Sequence, residues 1–510
     1  MKESRIRQLA GTAKQIELPA PFGGYNSRDS RASMPPQDAV TFTNMVSESG
    51  GVKSRRGYES FCDGVTGNVG FLKEYINGVT INMVVGAGDN LYEVDANGSA
   101  TSLGSGYSNT DWMSAKIAAN MVLVNGVDGP LTYNGSAISG SAGAYTGDIA
   151  TPGANTMDGV HLYGNRLYMW DSSKGDFFYG GTDAVSGGFT KFALSNVSAT
   201  GGNLLMMQTI TRDGGAGPDD YAAFILSTGE VLVYQGTNPA SASSFALVGK
   251  YFIPPPIGKR CSVRLGGDVL VLTQQDTISL SEVMQLSTDG QGFVINPSKS
   301  SGGIAGDFSV YGGNSGWELV AYGKKGWIIT NVPETVNTTY HQHILVTPTK
   351  APAYFTGWNA STFGVFNEGL YFGGDGVIYR ADSGFDDNGA DIQCRAQQAF
   401  SIFDSPNKKN IKSVSIRYIC DTDVSIAATV AYDYGDKTPN VTTATSTIGA
   451  EWDTATWDTA TWAGALQVRN TKYMVSGTGV AISVSVGFDI NGAQLTWLGT
   501  GISMEILTMI

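Results

Sequence analysis

Between residues 65 and 385 the chain never runs far without a turn signal, and that rhythm restricts it to short antiparallel strands. The clearest unit is YAAFILSTGEVLVYQGTNPASASSFALVGKYFI, Tyr221 to Ile253. Runs rich in Ile, Leu, Val, Phe and Tyr at 222–227, 230–234 and 245–253 are separated by Thr228-Gly229 and by a polar loop, which is the pattern of a strand–turn–strand meander. The tight turn requires a residue that tolerates positive φ, and Gly229 supplies it. With 204–211 as an inner strand, the unit predicts a four-stranded sheet of the kind that forms one propeller blade.

The same texture recurs along the chain. Candidate first strands begin near Val69, Trp112, Met157, Leu204, Arg260, Asp307 and Pro352, a spacing of roughly 43 to 56 residues, which suits propeller blades. The first predicted blade has strands at 69–76, 79–85, 91–94 and 99–103, with Asn77-Gly78 and Asn97-Gly98 among its turns; Asn-Gly matches the twist of flanking strands. The last predicted blade has strands at 363–366, 370–372 and 377–381. No WD or kelch signature recurs, so about seven blades are expected from turn rhythm alone.

Beyond residue 385 longer alternating strands, such as VAISVSVGF, point to a β-sandwich with one buried and one wet face per strand. Ahead of the blades, Ile6, Leu9, Ala13 and Ile16 fall at helical spacing, and Pro35-Pro36 marks a turn before further strands. The fold class expected is therefore all-β: an N-terminal arm with its first strands over 1–64, a β-propeller over 65–385 and a C-terminal β-sandwich over 386–510.

Composition excludes several functions. The 67 glycines and sparse charge belong to a turn-rich β-protein, and no apolar run is long enough for a membrane span. The opening MKESRIRQLAGTAKQIELPAP lacks the apolar core of a secretory signal, which implies assembly in a cytoplasm. Cys62, Cys261, Cys394 and Cys420 form no CxxC pair and are expected as buried free thiols. Residues 1–60 carry nine Lys/Arg against six Asp/Glu, so with a net charge of −13 the acidity lies beyond them, at −16. Such a body does not grip nucleic acid by counterion release; it either keeps a large β-surface soluble or forms a wall past which a polyanion slides.

No catalytic constellation stands out. His341-Gln342-His343 projects two rings from one strand face, a two-ligand metal clip without an evident third ligand, so exposed strand histidines are expected and no metal or cofactor. No GxSxG elbow, phosphate cradle or Ca²⁺ loop is present, and no pair of carboxylates is singled out for glycoside hydrolysis. Two groups read as candidate subunit contacts. Arg55, Arg56 and Tyr58 are conspicuous in so acidic a chain and pair either with a neighbouring copy or within their own chain. Trp452, Trp457 and Trp462 recur every five residues in EWDTATWDTATWAG, fitting neither a strand face nor a helical stripe. Exposed, that row suits contact with protein or sugar.

The order of parts adds a resemblance. A Pro-Phe-Gly-Gly opening (21–24), the strand pair NMVSESGGVKSRRGYESF (44–61), a non-repeating propeller containing EVLVYQGTNPASASSFALVGKYFIPPPIGKRCSVRLGGDVLVLTQQDTISLSEV (230–283) and a terminal β-domain together resemble the tail nozzle (tail hub) proteins of short-tailed bacteriophages. The WDTAT tandem departs from that pattern. The resemblance implies a structural virion protein, not an enzyme. About six copies would form a ring-shaped conduit for genome ejection, docked to the head–tail adaptor and closed by tip, plug or fibre proteins. Contact with double-stranded DNA would be transient and non-specific. A receptor- or glycan-binding tail module and a polysaccharide-degrading propeller are the rival readings.

Overall fold

The computed structural model describes residues 14–78, 80–140, 142–211, 220–286, 297–420, 424–439 and 467–507. They form two compact units: residues 59–344 with 357–382, and residues 1–58 with 345–356 and 383–510.

The first unit is a propeller of seven blades. Blade 1 is Val69–Asn77, Thr80–Ala87, Asn90–Val94 and Ala100–Ser105, and blade 2 is Met113–Ile117, Asn120–Val124, Leu131–Tyr133 and Ile138–Ser139. Blade 3 is Gly159–Tyr163, Arg166–Trp170, Phe177–Tyr179 and Gly187–Phe192, with Tyr145–Gly147 added in parallel at its outer edge. Blade 4 is Leu204–Thr211, Asp220–Leu226, Glu230–Gly236 and Phe245–Phe252, as the turn pattern predicts. Its Gly229 has φ 86°, and a Cβ there would lie 2.0 Å from Ile253 O, so only glycine fits the turn.

Blade 5 has three strands, Ser262–Leu265, Asp268–Leu272 and Thr277–Ser279, followed by the helix Leu280–Leu286. In blade 6 the helix Ser301–Tyr311 precedes Glu318–Tyr322, Trp327–Thr335 and Thr339–Val346. Blade 7 is Phe363–Phe366, Gly369–Gly373 and Ile378–Ala381, and its outermost strand is Tyr58–Cys62, brought from the other end of the propeller sequence. The inner strands of blades 7 and 1 lie side by side, so the ring is closed.

Two predicted first strands are displaced. Asp307 lies in the helix ahead of blade 6 and Pro352 in a strand of the second unit, while the inner strands of blades 6 and 7 start at Glu318 and Phe363. Turn spacing alone does not distinguish an inserted helix or a strand lent elsewhere from a blade.

Neighbouring blades share aromatic and aliphatic cores. Blades 3 and 4 meet through Tyr168, Trp170, Phe177, Phe224 and Leu232, with Phe177 stacked on Phe224 at 4.7 Å; blades 1 and 2 meet through Phe71, Tyr75, Trp112 and Tyr133. Alternating residues of each strand therefore face the next blade, and nothing in the ring needs a second layer to bury it.

The second unit is a β-sandwich. One sheet runs Met45–Glu48, Gly51–Ser54, Leu495–Ile506, Lys409–Cys420, Gln467–Gly479, with Lys14–Pro19 also paired to Leu495–Ile506. The other runs Ala351–Thr356, Ala39–Thr43, Ile392–Gln398, Ile482–Ile490, Ile426–Tyr432. Of the segment 1–64, expected as an arm with its first strands ahead of the propeller, residues 14–58 cluster with the C-terminal strands. Ile16, placed on a helical face by its spacing, lies in an extended strand; Ile6, Leu9 and Ala13 lie outside the described residues. Ile482–Ile490 is buried on both faces, not one. It is a central strand; Ser483 Oγ donates to Gln398 O at 2.6 Å, whereas the buried Ser485 hydroxyl has no hydrogen-bond partner.

One buried ion pair anchors this unit. Arg55 is fully enclosed, and all five of its guanidinium donors are used. Nε donates to Asn44 Oδ1, Nη1 to Asp387 Oδ1 and Arg56 O, and Nη2 to Asp387 Oδ2 and Thr356 O, at 2.6–2.9 Å. A charge so enclosed is costly to strand. Asp387→Ala is therefore expected to destabilise the chain by about 3–5 kcal/mol, read as a lowered urea midpoint. The exposed neighbour Arg56→Ala should change it by less than about 1 kcal/mol; equal effects would show that the pair is not the anchor.

Candidate functional site

The expected subunit contacts separate in the structure. Arg55 takes the intrachain alternative and presents nothing to a neighbour. Arg56 points outward with its guanidinium 5.4 Å from the Phe385 ring centroid. Tyr58 is half-buried, its N–H donating to Asp386 O and its carbonyl accepting from Asn388 N–H. A Cβ at Gly57 would lie 1.6 Å from Asp386 O, which explains the Arg-Arg-Gly-Tyr order: the backbone must press against the 386–389 turn. Trp452, Trp457 and Trp462 lie outside the described residues. All four cysteines are buried and free. His341 and His343, expected at the surface, are buried.

The inner strands of all seven blades enclose one cavity of about 610 Å³, lined by 71–74, 112–114, 160–161, 206–208, 259–260, 262–264, 318–321 and 362–365. For a chain of net charge −13 its lining is unusually basic, with Lys73, Lys259, Arg260 and Arg264 against Glu74 and Glu318. Most of these groups serve as ties between blades. Arg260 donates to Gly70 O at 2.8 Å and Trp112 O at 3.0 Å, spanning from blade 5 to the start of blades 1 and 2. Asp111 pairs with Arg260 at 3.1 Å and with Lys259 at 2.6 Å. Burial opposes the Asp111 charge, but the two cations outweigh it and hold its pKa below the ordinary carboxylate value.

Further ties join neighbouring blades. Gln208 Nε2 donates to Ser262 Oγ at 2.9 Å, joining blades 4 and 5. His161 Nε2 lies 2.9 Å from Thr209 Oγ1, joining blades 3 and 4. Glu318 accepts from Phe363 N–H at 2.9 Å and Thr362 Oγ1 at 3.2 Å, joining blades 6 and 7. Burial raises the Glu318 pKa further than Arg260 and its hydrogen-bond donors lower it. The ring is thus braced by polar bonds at its hub as well as by apolar packing between blades.

Sequence reading did not find these hub residues. Polar residues such as His161, Gln208 and Glu318 do lie on inner strands, but nothing local marks which strand is innermost.

Burial first, and Arg264 second, push the His161 pKa down to about 4. An unfolded histidine titrates near 6.5, so between those values the unfolded chain binds a proton that the folded chain does not. The contribution is complete above about pH 6.5 and is lost as pH falls toward about 4. His161→Gln should therefore lose less stability than the wild type between pH 7 and pH 4.5 in urea titrations; an unchanged pH slope would sink the assignment.

No known protein family matches the sequence, and no curated protein matches it. Solved structures with similar arrangements include the β-propeller domain of Cps50 (Swd1) from Myceliophteria thermophila, 9% identical over 65% of this chain and 99% of that one, at a TM-score of 0.42. Virginiamycin B lyase from Staphylococcus aureus is 10% identical over 62% and 94%, at a TM-score of 0.38. The extracellular domain of a hybrid two-component system from B. thetaiotaomicron is 10% identical over 62% of this chain, at a TM-score of 0.39, and the chain spans only 40% of that domain. At this level of likeness the seven blades rest on the sheet order and register of the chain itself. Among the described residues, no helix is long and apolar enough to cross a membrane.

Proposed function

We propose that this chain is a structural subunit of a phage tail nozzle, multiplied around an axis to form a conduit for genome ejection. The reading starts from the resemblance in the order of parts and is supported by one feature above others. The strand Gln467–Gly479 is thirteen residues long, has a single hydrogen-bonded neighbour among the described residues, and exposes Val468 at 62% and Met474 at 80%. An edge of that length, unpaired among the described residues and carrying Val468 and Met474 beside Lys472 on its exposed face, can template pairing with another chain. A second copy of this chain is the occupant that a ring requires.

The propeller's own cavity is not the conduit in this reading. Its volume is that of a small-molecule pocket, within about 300–1,000 Å³, and Arg260 crosses its rim. The passage for DNA lies between copies, and the braced propeller acts as a stiff spacer in the wall. Docking to the head–tail adaptor, closure by tip, plug or fibre proteins, and a place in the virion tail belong to the same proposal. The rival reading, a propeller that binds or cleaves a glycan, draws on Glu318, a carboxyl kept toward its protonated form inside a cavity.

Negative-stain imaging and mass photometry of the purified chain, alone and mixed with adaptor rings, test the proposal. Rings of about six copies are expected, and Met474→Lys should reduce assembly at least tenfold, about 1.4 kcal/mol per contact, with the far-UV spectrum unchanged. A chain that stays monomeric under both conditions and turns over a glycan in a Glu318-dependent manner overturns it.

A further inference from the structure

Blade 6 assembles a cluster whose members lie 34 and 36 residues apart. On the strand Thr339–Val346, His341 and His343 are two positions apart and share a face; their exposures are 1% and 3%. Asp307, from the helix Ser301–Tyr311, meets both rings with one oxygen. Its Oδ2 lies 2.9 Å from His341 Nε2 and 2.6 Å from His343 Nε2. Behind His341, Glu334 Oε1 stands 2.6 Å from Nδ1. The three prospective donor atoms all lie within 4.8 Å of one another.

We infer that Asp307, His341 and His343 bind a divalent transition-metal ion, Zn²⁺ by donor type, with Glu334 as the positioning residue for His341. Two imidazole nitrogens and one carboxylate oxygen, held by a helix and a strand, are the donor set of three-ligand zinc sites. Glu334 stands where ligating histidines usually have a carboxylate, on the nitrogen away from the ion. A His341 that donates from Nδ1 to Glu334 turns the lone pair of Nε2 toward the Asp307 oxygen. Two facing lone pairs repel, and a metal ion between them relieves that repulsion as protonation of Nε2 otherwise would.

Tetrahedral zinc with bonds of about 2.0–2.1 Å sets N···O separations near 3.3 Å. Asp307 would therefore withdraw by about half an ångström, and its side chain, 22% exposed, has room on the solvent side. The two histidines form the buried wall and the partly exposed Asp307 the outer side, so the fourth position would open toward Asp307's solvent side.

The helix itself supplies a second reason. SGGIAGDFSVY contains three glycines, has no side-chain cap bond at Ser300, and buries only Ile304 among its residues. Each glycine costs about 1 kcal/mol relative to alanine, so intrinsic propensity does little to hold this turn of chain. A metal bond from Asp307 to the sheet would pin it. The inference is independent of the nozzle proposal.

The test uses the full-length, untagged chain, stripped with chelator, dialysed and reloaded. One equivalent of zinc per chain by elemental mass spectrometry is expected, together with visible d–d bands on Co²⁺ titration. Asp307→Asn keeps the shape and hydrogen-bonding capacity of the side chain but removes the anionic donor; it should lose the bound metal and the Co²⁺ bands while the metal-free melting temperature stays close to wild type. Glu334→Gln should retain binding with affinity weakened about 10–100-fold. Should the wild type take up far less than one equivalent and show no Co²⁺ bands, the cluster is a hydrogen-bonded pair of imidazoles on a carboxylate, and the inference falls.

Discussion

A ring of sheets has two ends to join, and the structure depends on how they are joined. Tyr58–Cys62 is the outermost strand of blade 7, although that blade's other three strands come from residues 363–381. Without it, blade 7 would have three strands and Ile378–Ala381 would be its outer edge. Three residues before that strand, Arg55 is locked to Asp387 and to three further acceptors. Within the sandwich unit the chain is thus fixed by a buried, fully paired charge. Such a pair adds modest net stability, but removing either partner strands a buried charge.

The hub repeats this logic with smaller groups. Gln208, His161, Glu318 and Arg260 each bond to a neighbouring or opposite blade. Buried polar networks carry a large penalty when half-satisfied, so a fully bonded one defines a single geometry. A propeller braced in this way suits a wall or spacer. It also leaves a cavity of the size that enzymes and binding modules on this fold use, which is why the carboxyl of Glu318 sustains a competing reading.

The blade 6 cluster shows how a weak element is given a fixed place. A glycine-rich helix with one buried side chain has little apolar surface to commit to the sheet. Its Asp307 does with polar contacts what a leucine stripe does in other helices.

Turn chemistry is local, so the sequence by itself determined much of this protein: all-β class, the strands of blades 1 and 4, the last blade's three strands, free buried cysteines and the change to a second β-domain. Gly229 could be read as a turn glycine because the constraint acts over two or three residues. Other features were settled only by tertiary contacts. Arg55 meets Asp387 across 332 residues, the closing strand comes from before the ring, and the third partner of the two histidines sits on a helix that turn spacing mistook for a strand. Residue spacing carries no record of which distant segments pair. That choice is made by burial and by the need to satisfy most enclosed donors and acceptors at once.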